Sequence, residues 1–206
     1  MIDIPITIIG GYLGAGKTSL INSILTGDSP PANLAVLVND FGDINLDAKW
    51  IEEKSPDGKI IGLTNGCVCC TVRDDLLAVM EDLYWARLQR RMPRFVRLVI
   101  ETTGLADPGP VAQTFFMDDE VAESYLLDSI LTLVDAKHAP LQLNDRQEAR
   151  RQVGFADQIF ISKSDLVDAD ALDALQHRLK HMNPRAPQRA VHFGEVALSE
   201  VFDLRG

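Results

Sequence analysis

The sequence predicts an α/β fold, a mostly parallel central sheet with helices on both faces. Two observations carry that prediction. Short, β-branched apolar runs recur along the chain, and segments with a 3.6-residue apolar stripe separate them. The runs are also apolar at nearly every position, as strands covered on both sides must be.

The first run is Ile4–Ile9 (IPITII). A glycine-rich segment follows, then a helix carrying Leu20, Ile21, Ile24 and Leu25, with Gly27 as its stop. Further strands are expected at Ala35–Val38, Lys59–Leu63, Arg97–Glu101, Ser129–Asp135 and Gln158–Ser162. Asp74–Arg91 reads as a helix burying Leu76, Met80, Leu83, Tyr84 and Leu88. Asp168–Met182 reads as another, burying Leu172, Leu175, Leu179 and Met182 and ended by Asn183-Pro184. Asn39–Asp57 and Ala106–Leu127 have no clear period and are expected to be irregular, mobile insertions. No internal repeat, low-complexity tract or linker interrupts the pattern, so residues 1–206 are expected to form one domain.

Composition narrows the function classes. With 46% hydrophobic and 24% charged residues the chain is too apolar to be disordered. A formal charge of −10 gives no general attraction to nucleic acid or to an anionic membrane, and neither is expected as a partner. No apolar run approaches the ~20 residues of a membrane span, and Asp3 stands where a secretory leader would begin. A cytoplasmic location is expected. The only three cysteines lie between positions 67 and 70, which excludes a disulfide framework as the organising force.

The most specific motif is GGYLGAGKTSL, in which Gly11, Gly16, Lys17 and Thr18 satisfy G-x-x-x-x-G-K-[ST] between a strand and a helix. In that context the glycines let the backbone wrap closely around phosphate oxygens, with N–H groups pointing inward at the helix N-terminus. The segment Gly11, Gly14, Ala15, Gly16, Lys17, Thr18 and Ser19 is therefore the expected cradle of a P-loop NTPase. Lys17 is placed to reach the β- and γ-phosphates and the Thr18 hydroxyl to hold Mg²⁺. Glu101 closes the run RLVI and supplies a carboxylate for the magnesium shell. Gly104, three residues on, offers an N–H that can sense the γ-phosphate. Ser162-Lys163-Ser164-Asp165 follows the Gln158–Ser162 run. There Asp165 can accept both N1–H and N2–H₂ of guanine, which adenine cannot offer, while the Lys163 stem lies over the ring, so GTP and GDP are the expected nucleotides.

Cys67, Cys69 and Cys70 form a C-x-C-C cluster in the turn before the Asp74–Arg91 helix. Thiolates are soft ligands suited to Zn²⁺, Co²⁺, Ni²⁺ or Cu(I), and three of them make an open site. Packing of small residues under a loop and redox sensing are the alternative uses. Asn39-Asp40-Phe41-Gly42-Asp43 sits where a nucleotide-sensing loop belongs, and Asp40 or Asp43 can touch Mg²⁺, orient water or join the cysteine metal, a solvated acidic loop being the alternative. His177 and His181 are spaced i, i+4, a spacing able to chelate a metal but more common in idle surface residues. Arg146, Arg150 and Arg151 read as a solvated helix face.

Taken in order, GGYLGAGKTSL, NDFGD, GCVCC, ETTGLADP, SKSD and NPRA resemble the CobW-like metallochaperone GTPases, relatives of the nickel-inserting GTPases of hydrogenase and urease. The resemblance spans nearly the whole chain. It implies slow, metal-responsive GTP hydrolysis and transfer of Zn²⁺ or Co²⁺ to a client metalloprotein from Cys67, Cys69 and Cys70, with homodimerisation a further partner state. It also implies that Asn183, in NPRA, lies in a segment near the base. Two segments depart from the family pattern. Val38 and aspartates stand where the family often reads Glu-Asn-Glu-Phe-Gly-Glu, and Ser162 stands where asparagine is usual. The family's usual C-terminal domain is not expected in this chain. The other readings are a nucleotide-gated interaction module with negligible hydrolysis and a small-molecule kinase, though the latter leaves the cysteines without a role.

Overall fold

Alternate residues of a strand face opposite sides of a sheet, so a strand apolar at every position has to be covered twice. The structure, a computed structural model describing residues 4–26, 33–38, 59–62, 73–91, 94–117, 119–192 and 195–206, meets that requirement. Its strands are β1 (Ile4–Gly11), β2 (Leu34–Val38), β3 (Lys59–Gly62), β4 (Arg97–Glu101), β5 (Tyr125–Asp135), β6 (Gln158–Ser162) and β7 (Gln188–Ala190). They form one sheet in the order β3-β2-β4-β1-β5-β6-β7, and every pairing among these strands is parallel. The helices are α1 (Lys17–Thr26), α2 (Arg73–Leu88), α3 (Pro108–Met117), α4 (Asp119–Ala122), α5 (Ala139–Asp145), α6 (Gln147–Phe155) and α7 (Ala169–Met182).

The two faces divide by residue parity. Ile9, Val36, Val99, Leu131 and Leu133 pack with Leu20, Ile21, Ile24 and Leu25 of α1. Their strand neighbours Ile8, Leu37, Leu98 and Ile100 pack with Leu76, Met80 and Leu83 of α2 and with Ala112 and Phe115 of α3. A third cluster joins Val134, Ile159 and Ile161 to Leu143, Val153, Leu175 and Leu179 of α5, α6 and α7. Each fully buried Leu or Ile contributes about 1.5–3 kcal/mol of transfer free energy, so these layers, not local propensity, fix the short helices.

Three expectations are corrected. Ala106–Leu127 is not an irregular insertion: it holds α3, α4 and the start of β5. Pro108 and Pro110 sit in the first turn of α3, where a missing N–H costs nothing, and the Asp107 carboxylate accepts the Gly109 N–H at 3.0 Å. β5 begins four residues before the expected Ser129 because Tyr125 is buried and its hydroxyl donates to the Met80 carbonyl at 3.0 Å. Leu88, placed on the buried stripe of α2, is 50% exposed. The last turn of that helix also carries the exposed Trp85.

Register sets what the sheet presents at its C-terminal edge. Glu101 of β4 lies beside Ile9 of β1, Gly11 of β1 beside Leu133 of β5, and Asp135 of β5 beside Ser162 of β6. Four chemically distinct strand ends thus stand in a row where open α/β sheets bind their ligands.

Candidate nucleotide site

β1 runs on past its apolar residues to Gly11, where φ is 138° and a Cβ would stand 2.5 Å from the Leu133 carbonyl oxygen. Only glycine lets β1 lie that close to β5 before the chain turns. Gly14 and Gly16 continue the turn with φ of 75° and 98°, and the Ala15 N–H donates to the Tyr12 carbonyl at 3.1 Å. Helix α1 then begins at Lys17, so Lys17, Thr18 and Ser19 bring their amides to its N-terminus, the end that favours anions. The Lys17 ammonium, only 8% exposed, lies back over the loop and donates to the carbonyls of Gly11 at 3.0 Å and Tyr12 at 3.5 Å.

At the foot of the cradle the Thr18 hydroxyl donates to Oε1 of Glu101 at 3.2 Å, and Glu101 is 6% exposed. One hydroxyl and one carboxylate, both hard oxygen donors, fit Mg²⁺. That ion commonly takes one or two protein ligands and completes its octahedron with water and phosphate oxygens. The turn after Glu101 is tied on two sides. The N–H and hydroxyl of Thr102 both donate to the Ile9 carbonyl, at 3.0 and 3.3 Å. Gly104 is pressed against the phosphate loop so closely that a Cβ would meet the Leu13 nitrogen at 2.5 Å. From below, the buried Gln152 amide of α6 donates to the carbonyls of Gly104 at 3.1 Å and Ala106 at 3.0 Å.

The other side of the cradle is held by the β6 end. The Ser162 hydroxyl donates to the Ala15 carbonyl at 2.7 Å. Lys163 adopts a left-handed φ of 56°, uncommon for a lysine, and its ammonium bonds both the Gly14 carbonyl at 2.8 Å and Oδ2 of Asp135 at 2.6 Å. Asp135 also accepts the N–H groups of Lys137 and His138, at 2.9 and 3.1 Å, and its Oδ2 lies 2.9 Å from Nδ1 of His138. Burial pushes the Asp135 carboxyl upward, but the hydrogen bonds from Lys163 and His138 outweigh it and hold the group below its ordinary range. Asp165 lies in a 3₁₀ turn, Ser164–Leu166, with half its side-chain surface open and Nδ1 of His192 at 4.0 Å.

The structure therefore gathers Gly11, Gly14, Ala15, Gly16, Lys17, Thr18, Glu101, Gly104, Ser162 and Lys163 around one loop, with Asp165 exposed at its edge. Asn183 is employed elsewhere. It is buried, its amide donates to the carbonyls of Val153 and Ala156 at 2.8 Å each, and its Oδ1 accepts the N–H groups of Arg185 and Ala186. Its side chain locks the turn after α7 onto the end of α6. Nor are Arg150 and Arg151 merely solvated. Arg150 donates to the last carbonyls of α5, at Leu143 and Asn144, and Arg151 pairs with Asp107. Asp40, Cys67, Cys69 and Cys70 lie outside the described residues.

Sequence reasoning passed over Gln152 and Asp135. Both left a signal. Gln152 sits between Ala149 and Val153 on the buried stripe of α6, and Asp135 closes its apolar run as Glu101 does. Because Asp135 is held low, its contribution to stability is present above its unfolded pKa and lost as pH falls through the lower folded value. Asp135→Asn is expected to cost about 1–2 kcal/mol at neutral pH. Urea titrations of the two proteins should converge on acidification, with the difference gone once Asp135 is protonated in both states.

Comparison with known proteins follows the same lines. Residues 5–189 match the CobW/HypB/UreG nucleotide-binding domain. The chain is 40% identical over 206 residues to the zinc chaperone YjiA of Escherichia coli, covering all of this chain and 63% of that protein. It is 36% identical to the zinc-regulated GTPase metalloprotein activator 1 of Schizosaccharomyces pombe, covering 98% of this chain and 49% of that one. The crystal structure of Zn(II)-bound YjiA GTPase from E. coli superposes with a TM-score of 0.76 at 39% identity, over all of this chain and 63% of that chain. The chain thus spans about half to two thirds of the length of these relatives.

Proposed function

Since the chain belongs to the CobW/HypB/UreG nucleotide-binding family, we propose that it binds and slowly hydrolyses GTP and uses the cycle to hand a transition metal to a client metalloprotein. The observation that carries the GTPase reading is the Thr18–Glu101 pair at 3.2 Å beneath a glycine loop, with the open Asp165 carboxylate at the adjoining strand end. Lys17 and the α1 amides stabilise charge on the transferred phosphoryl group. Thr18 and Glu101 would hold Mg²⁺, which when bound would neutralise phosphate charge. Asp165 selects guanine over adenine. The turn through Gly104, wedged against Leu13, reports the state of the γ-phosphate to α6 through Gln152.

The metal half of the proposal rests on the relatives' names, a zinc chaperone and a zinc-regulated GTPase, and on the soft-donor chemistry of Cys67, Cys69 and Cys70. Only Thr71 and Val72 separate Cys70 from α2 in sequence, so a metal on the cluster would be linked to the helix that packs beneath β4. Asp40 is the carboxylate proposed to couple that metal to the nucleotide. A homodimer completing the site and a cytoplasmic setting belong to the same reading. Among the described residues no helix is long and apolar enough to cross a membrane. An anaerobic Co²⁺ titration with GTP–Mg²⁺ and then GDP–Mg²⁺ tests it. The expected result is a thiolate-to-cobalt absorption band whose affinity depends on the nucleotide and which disappears in Cys67→Ser. A chain with no such band in either state is not a cysteine-based metal carrier.

A further inference from the structure

The geometry points to a second, independent metal site on α7, formed by His177 and His181, that takes a divalent ion of the imidazole-seeking class such as Zn²⁺, Ni²⁺ or Cu²⁺. Residues four apart lie one above the other on a helix. Here both side chains are exposed, and their rings stand side by side with centroids 4.4 Å apart. The decisive contact is between Nδ1 of His181 and the His177 carbonyl oxygen, at 2.9 Å. A carbonyl only accepts, so Nδ1 is the donor, and in the neutral ring that leaves the lone pair on Nε2. That is how metal-binding histidines are oriented, with one nitrogen bonded to the protein and the other turned toward the ion.

The surroundings favour a cation there. Both histidines lie in the last two turns of α7, at the helix end whose carbonyls carry partial negative charge. Asp173 stands one turn before His177, and Asp170 a further turn toward the N-terminus on the same side. The two basic side chains between the histidines are tied off elsewhere. Arg178 bonds the Pro140 carbonyl and Oδ1 of Asn144 on α5, and Lys180 curls over the helix end to donate to the Pro184 carbonyl at 2.7 Å. Among the described residues no group of three His, Cys, Asp or Glu side chains is assembled for a metal. The site is therefore a two-imidazole chelate with open positions, suited to capture and exchange and unlike a closed structural zinc. It lies roughly 15–20 Å along α7 from the Asp168 cap that follows the Asp165 turn, and it shares no residue with the cysteine cluster.

The test uses the full chain with Cys67, Cys69 and Cys70 all replaced by serine, titrated calorimetrically with Zn²⁺. One ion per chain should bind, and His177→Ala or His181→Ala, added singly, should weaken it by at least about tenfold. In parallel, Zn²⁺ added to the unmodified chain should shift the ring-proton NMR signals of His177 and His181, a readout that does not require the serine variant to fold. Both histidines are exposed, so neither alanine variant should alter the thermal midpoint without metal. Binding that survives both alanine substitutions, or ring protons of these two residues that do not respond to Zn²⁺, overturns the site. The cysteine reading is judged by its thiolate band, so failure of one leaves the other standing.

Discussion

Lys17→Ala is expected to lower the rate of GTP hydrolysis by at least about a thousandfold while leaving GDP binding within about tenfold of the native chain. The split follows from what holds the loop. Its shape comes from the positive φ angles of Gly11, Gly14 and Gly16, from the Ala15–Tyr12 backbone bond and from the Ser162 hydroxyl on the Ala15 carbonyl, none of which needs the lysine. The helix N-terminal amides proposed to meet the α- and β-phosphates also remain. What is lost is the one cation in the loop, which has to leave the Gly11 and Tyr12 carbonyls to follow charge that develops only during phosphoryl transfer. An interaction made mainly in the transition state appears in kcat and little in ground-state affinity. Single-turnover phosphate release, measured beside a fluorescent-GDP titration, separates the two. A variant that hydrolyses GTP at the native rate removes the loop from the reaction altogether.

That expectation could be written from the sequence, because a phosphate loop is a local feature: every residue of the cradle lies within nine positions, and its strand and helix flank it directly. The strands were legible for a similar reason. A strand buried on both faces is a short apolar run, and Arg97–Glu101 and Gln158–Ser162 have the expected ends in the structure. What escaped was non-local. α3 and α4 are hidden because Ala106–Leu127 shows no clear period; α3 is fixed instead by the Asp107 carboxylate on the Gly109 N–H and by the packing of Ala112 and Phe115 against the sheet. β7 has only three residues, Gln188–Ala190, and no apolar periodicity; its place is fixed by pairing to β6. Asn183 is tied to the base by resemblance alone, whereas its five side-chain hydrogen bonds to the end of α6 and to the turn after α7 emerge only once those helices meet.

Gln152 is the part of the site that pure motif reading cannot reach, and its removal should be felt twice. In Gln152→Leu the side-chain volume is nearly kept, but the carbonyls of Gly104 and Ala106 lose their shared donor in a place where the glutamine itself is 2% exposed. An orphaned buried polar group costs about 1–3 kcal/mol, and two are left here, so a loss of about 3 kcal/mol is expected. For a chain of this size that lowers the thermal midpoint by roughly 6–12 °C. In urea the midpoint should fall with the slope unchanged, since the same surface is exposed on unfolding. The second effect is functional. The turn released is the one whose Gly104 presses on Leu13 of the phosphate loop. On the proposed reading, in which the γ-phosphate is sensed at that turn, GTP should lose more affinity than GDP. A core residue with no part in nucleotide sensing would weaken both equally. Equal losses for GTP and GDP would reduce Gln152 to a packing residue, and the GTP-selective loss identifies the amide as the link from the γ-phosphate turn to α6.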